Sequence, residues 1–141
     1  MLVSIHSVAH RDEATGEEPI TMLTTGELQL QDDRALIRYE EAVDDSMPAQ
    51  QVEVVVEGES ATMTRCGDYA TVMVFRKDCR YEGTYHTPYG DMELAVYCTR
   101  LRYDIGPDGG ELLLSYQLDL NGQFAAVHDM HLRLVRQPDE E

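Results

Sequence analysis

Lysine is almost missing from this chain of 141 residues: Lys77 stands alone, and the basic side chains number 11 against 27 acidic ones, for a formal net charge of −16. A field of that sign repels nucleic acid and anionic membrane surfaces, so neither is expected as a partner. Tryptophan is absent, and eight tyrosines stand against two phenylalanines, so most aromatic rings carry a hydroxyl that needs a partner when buried. No apolar run approaches the ~20 residues that span a bilayer as a helix. Cysteine is scarce and odd in number, with Cys66, Cys79 and Cys98 forming no C-x-x-C pair. The start, Met-Leu-Val-Ser-Ile-His-Ser, is strand-like rather than a secretory leader. These features predict a reducing, cytoplasmic setting and a single domain over residues 1–141.

What is abundant is acid, gathered in pairs: Asp12-Glu13, Glu17-Glu18, Asp32-Asp33, Asp44-Asp45 and the tail Asp139-Glu140-Glu141. They read as solvated turns and ends that keep a β protein soluble. None extends into the Asp/Asn loop with a central Gly and closing Glu of a calcium site. His6 and His10 share a strand face but lie ~13 Å apart along it, and His128 and His131 point to opposite faces, so no metal site and no cofactor is implied.

Period-2 alternation between turn residues recurs along the whole chain. About ten strands are expected: Leu2 to His10, Ile20 to Gln31, Arg34 to Val43, Gln51 to Glu57, Ser60 to Cys66, Tyr69 to Lys77, Arg80 to Thr87, Asp91 to Tyr103, Glu111 to Asp119 and Gln123 to Val135. No amphipathic helix is evident. Arg11 to Pro19 and Asp44 to Gln50 read as the longest loops.

Side chains opposite each other in an antiparallel pair share a face, so parity tests each turn. An Asp32-Asp33 turn sets Leu30 against Ala35, Leu28 against Ile37 and Gly26 against Tyr39. A Gly58-Glu59 turn sets Val56 against Ala61, Val54 against Met63 and Val52 against Arg65, aiming an arginine inward. A Tyr89-Gly90 turn after Thr87-Pro88 would pair Thr87 with Met92, Tyr85 with Leu94, Gly83 with Val96 and Tyr81 with Cys98. The apolar parity switches beyond Cys98, which predicts a bulge near Thr99 and Arg100. For the last hairpin, parity favours a three-residue Leu120-Asn121-Gly122 loop, bringing Leu118 to Phe124 and Leu114 to His128.

Ten hairpin-linked strands exceed what an open twisted sheet carries without curling. The expected fold is all-β: an antiparallel up-and-down barrel, with a two-sheet sandwich as the alternative that alternation does not separate. The run from Arg65-Cys-Gly through Phe75 to Tyr85-His-Thr-Pro-Tyr-Gly, with Leu94, Val96, Thr99, Gly110-Glu-Leu and Tyr116-Gln-Leu, resembles the YwiB-like family of uncharacterised bacterial proteins. Gly26 and Arg38-Tyr39-Glu40 extend the resemblance over nearly the whole chain. It implies a calycin-like, that is lipocalin-like, barrel and a generic expectation of ligand binding, without catalytic residues to carry over.

Parity aims Arg65, Tyr39, Tyr69, Tyr81, Tyr85, Tyr116 and His128 into the barrel. A buried arginine needs a partner. Either a carboxylate such as Glu40 or Glu41 satisfies Arg65 near a barrel mouth, or Arg65 receives the carboxylate of a small ligand beside tyrosine hydroxyls. The expected function is binding of a small amphipathic or carboxylate-bearing molecule. A decarboxylase-type lyase using Arg65 and tyrosines, as in some calycin-like enzymes, is the second reading. A non-catalytic interaction module with a filled core, monomeric or homodimeric, is the third. No nucleophile elbow or phosphate-cradling loop is present.

Overall fold

The computed structural model describes residues 2–12, 20–41, 50–67 and 69–137. Ten strands fill them: β1 (Leu2–Asp12), β2 (Ile20–Gln31), β3 (Arg34–Glu41), β4 (Gln50–Glu57), β5 (Ser60–Cys66), β6 (Ala70–Arg76), β7 (Arg80–Thr87), β8 (Gly90–Gly106), β9 (Gly109–Leu120) and β10 (Gln123–Arg136). Each pairs antiparallel with its sequence neighbours, and β1 also pairs with β10 from Val3↔Arg136 to Asp12↔Val127. The ring is therefore closed, which decides between barrel and sandwich. Of the expected loops, Arg11 and Asp12 instead continue β1 and Gln50 opens β4, while 13–19 and 44–49, like the end of the third strand at Val43, lie outside the described residues.

Alternation builds the core. In β4, Val52, Val54 and Val56 are buried while their neighbours face out, and in β9 Leu112, Leu114 and Tyr116 do the same. The β2–β3 register puts Leu28 on Ile37 and Leu30 on Ala35, and the β4–β5 register puts Val52 on Arg65, as parity required. Gly26 sits against Tyr39: a Cβ added there would meet the Arg38 carbonyl and the Cδ1 of Ile5, with Tyr39 Cβ 3.0 Å away. The bulge in β8 falls between Cys98 and Arg100, as parity required.

Two hairpins differ from expectation. At the Thr-Pro-Tyr-Gly turn the partners are Thr87↔Gly90, Tyr85↔Met92, Gly83↔Leu94 and Tyr81↔Val96, a slip of two residues that leaves every side chain on its expected face. The Thr87 hydroxyl causes it: Oγ1 donates to the Gly90 carbonyl at 2.7 Å and accepts the Tyr89 N–H at 3.1 Å, closing the turn on Pro88-Tyr89. In the last hairpin Leu120 pairs with Gln123 across Asn121-Gly122, both at positive φ (53° and 77°), the signature of a two-residue type I′ turn. Parity is instead repaired by a bulge between Phe124 and Ala126. Leu118 thus meets Ala126, Tyr116 meets His128 and Leu114 meets Met130, while Phe124 is left 62% exposed.

The ring has one weak joint. β6 and β7 are joined by only two register pairs, Ala70↔His86 and Thr71↔Tyr85. From Val72 to Arg76 and from Arg80 to Thr84 the facing strands form no ladder. The turn between them is tied elsewhere, with the Cys79 N–H bonding to the Arg76 carbonyl and the Asp78 N–H to the Cys98 carbonyl of β8.

Candidate functional site

Register rows run round the barrel like hoops, and their chemistry changes abruptly. The row Leu28, Ile37, Val54, Met63, Met73 is apolar and buried throughout. One step towards the β7–β8 turn, the next inward row reads Tyr39, Val52, Arg65, Thr71, Tyr85, Met92. Above it sit Glu41 and Gln50, partners across β3 and β4. The sealed centre thus ends in a polar layer.

Arg65 anchors that layer. Its Nε donates to Glu41 Oε1 at 3.2 Å, and the two side chains are only 22% and 19% exposed. Burial opposes the Arg65 charge, but Glu41, Tyr116 and Tyr39 outweigh it and hold the guanidinium above its ordinary range. Among the described residues its two terminal nitrogens have no hydrogen-bond partner. The tyrosine hydroxyls nearby stay protonated: burial first, and then the Glu41 charge, push Tyr39 well up, and burial does the same to Tyr116 against the pull of Arg65. Tyr85 is raised as well, chiefly by burial.

Aromatic contacts extend the layer to both sides. Tyr69 meets Tyr85 edge-on with centroids 6.4 Å apart. Tyr116 packs on Phe75 at 4.8 Å and stacks flat on His128 at 5.1 Å. All of the side chains expected inward therefore belong to one connected set except Tyr81, which lies over Gly83 of its own strand, with Oη 3.0 Å from where a Cβ would stand.

Arg65 also lines a recess of about 390 Å³. Its walls include Arg65, Thr71 and Tyr81 of the inward parity together with Ala70, Val72 and Thr84 of the outward parity. The hollow, lined from both parities, spans β5 to β7 beside the joint where the β6–β7 ladder stops. Tyr39, Tyr69, Tyr85, Tyr116 and His128 do not line it, although Tyr39 and Tyr116 act on the Arg65 charge. His86 stands at the rim, bonded to Asp91 at 2.9 Å and more than half exposed.

Two residues that parity reasoning passed over complete the site. Thr71 is 4% exposed, and its Oγ1 has no hydrogen-bond partner; Gln50, also buried, leaves its Oε1 unpaired. Such orphans cost ~1–3 kcal/mol, so they persist where something else fills the bond. Thr71 carried a signal in the sequence: it is the polar member of the inward set Thr71, Met73, Phe75. Among the described residues no three His, Cys, Asp or Glu side chains gather as a metal site.

A closed, ten-stranded antiparallel ring with a polar layer at one end is a calycin-like barrel. The chain belongs to the family described as domain of unknown function (DUF1934), whose pattern matches residues 3–133. The crystal structure of ywiB protein from Bacillus subtilis is similar to it with a TM-score of 0.85 and 17% identity, over 97% of this chain and 92% of that one. At that identity the likeness establishes the fold. No curated protein matches the chain.

Proposed function

We propose that the chain binds a small carboxylate-bearing molecule in the recess at the β6–β7 joint. The carrying observation is the buried, unpartnered Thr71 hydroxyl beside a guanidinium that uses only Nε on Glu41. A carboxylate entering from the wall would meet the free terminal nitrogens of Arg65 in a charge-assisted pair and take a third hydrogen bond from Thr71 Oγ1. Tyr81 and Val72 offer apolar surface to the rest of the molecule. A volume near 390 Å³ suits a small metabolite and falls at the low end of ligand sites.

Binding is favoured over turnover by the direction in which the site's groups titrate. Arg65, Tyr39, Tyr85 and Tyr116 all shift upward, so they supply a permanent cation and protonated donors rather than a base poised near neutrality. The three cysteines, all free, suit the reducing cytoplasm in which we place this role.

The test is thermal unfolding and calorimetry against a panel of small mono- and dicarboxylates. Members of the panel are expected to raise the midpoint of the native protein and to lose roughly tenfold or more in affinity in Arg65→Met. Equal affinity for the native and Arg65→Met proteins, or no binder in the panel, would sink the proposal.

A further inference from the structure

We propose a second binding site, for a small phosphate-bearing anion, at the opposite end of the barrel. Its shape follows from the weak joint. β7 starts at Arg80, opposite Tyr97, whereas β8 runs on to Gly106. With β7 gone, the overhanging part of β8 faces the β4–β5 and β6–β7 turns across a cleft of about 700 Å³. Tyr103 Oη donates to the Gly58 carbonyl at 2.7 Å and fixes one rim.

The charge in that cleft runs against the rest of the molecule. The sole lysine of a chain with net charge −16, Lys77, lines it together with Arg76 and Arg102. Arg38, Arg65 and Arg80 each hold a carboxylate, but these three make no ion pair among the described residues. Glu59 and Asp78 line the same cleft without closing on them. Three cations against two carboxylates leave a local positive excess, open to water and unspent.

Three separate cations favour a group that carries more than one charge and several acceptor oxygens, which is phosphate rather than a single carboxylate. The surrounding negative field turns away long polyanions, so the ligand is small. Leu101 and Tyr103 give its remainder an apolar shelf.

Inorganic pyrophosphate, titrated into ¹⁵N-labelled protein at low salt, is expected to give saturable amide shifts at Gly58–Glu59, Arg76–Asp78 and Leu101–Tyr103. The double variant Lys77→Met/Arg102→Met should bind it roughly tenfold more weakly or worse, Glu59→Gln should bind it more tightly, and Arg65→Met should bind it as the native protein does. Glu59, Lys77 and Arg102 are exposed, so their variants should keep the native unfolding midpoint. Shifts that fail to saturate by about 10 mM, shifts centred on Arg65, or undiminished binding by the double variant would each overturn the proposal.

Discussion

Two neighbouring rows of the barrel wall, about 7 Å apart along the strands, obey opposite rules. In the row Leu28, Ile37, Val54, Met63, Met73, every inward side chain is apolar and out of water, so its contribution is area removed from solvent and close packing. In the row Tyr39, Val52, Arg65, Thr71, Tyr85, strands β3 to β7 place a cation, hydroxyls and an orphaned oxygen inward. The apolar rows hold the ring together. The polar row is tolerated by that stability, and it is where we place the proposed carboxylate site.

Substitutions can break or sharpen this contrast. The largest effect belongs to the apolar side: Phe75→Ala empties a position with no solvent exposure and should cost about 3–5 kcal/mol in urea unfolding. A graded loss comes from the tyrosines of the polar side. The folded-state values of Tyr39 and Tyr116 lie above the ordinary 10.0, so protonated tyrosine is favoured by folding. Their contribution is fully present below about pH 10 and drains away as pH rises towards the folded values. Urea midpoints should fall above about pH 10, phenolate absorbance should appear together with unfolding, and Tyr116→Phe should flatten the dependence. The smallest effect, opposite in sign to the first, is Thr71→Val. It removes a buried oxygen that has no partner, so stability should stay level or rise by up to about 1 kcal/mol, while carboxylate binding weakens. A loss above that size would mean that Thr71 is bonded within the protein and would move it to the structural side of the comparison.

Much of this was legible in the residues. Side-chain parity found the inward face of β3 to β5, the inward Arg65, the Glu41 candidate and the bulge after Cys98. It survived the slip at Thr87 because an even shift keeps the faces. What parity does not carry is how a turn closes. The Thr87 hydroxyl and the positive φ of Asn121 and Gly122 decided that locally, and the bulge at Phe124/Ala126 absorbed the consequence. Nor does alternation report whether two strands that share a face are in fact bonded. β6 and β7 alternate as well as any pair, yet their ladder stops after Thr71↔Tyr85. The recess lies beside that failure, so alternation gives no sign of it. Thr71 itself was in view, as a polar residue in an inward series.

The unfinished joint between β6 and β7 also has a meaning in time. A ring without free edges has nowhere to fray, so elsewhere an amide in the wall exchanges with solvent only when much of the barrel opens. At this joint two bonded pairs hold where a full hairpin ladder would otherwise run, so amide exchange in β6 and β7 is expected to be the fastest in the wall. The speed at which those two pairs part would then set how fast the proposed carboxylate enters, and the Arg65 contact how long it stays.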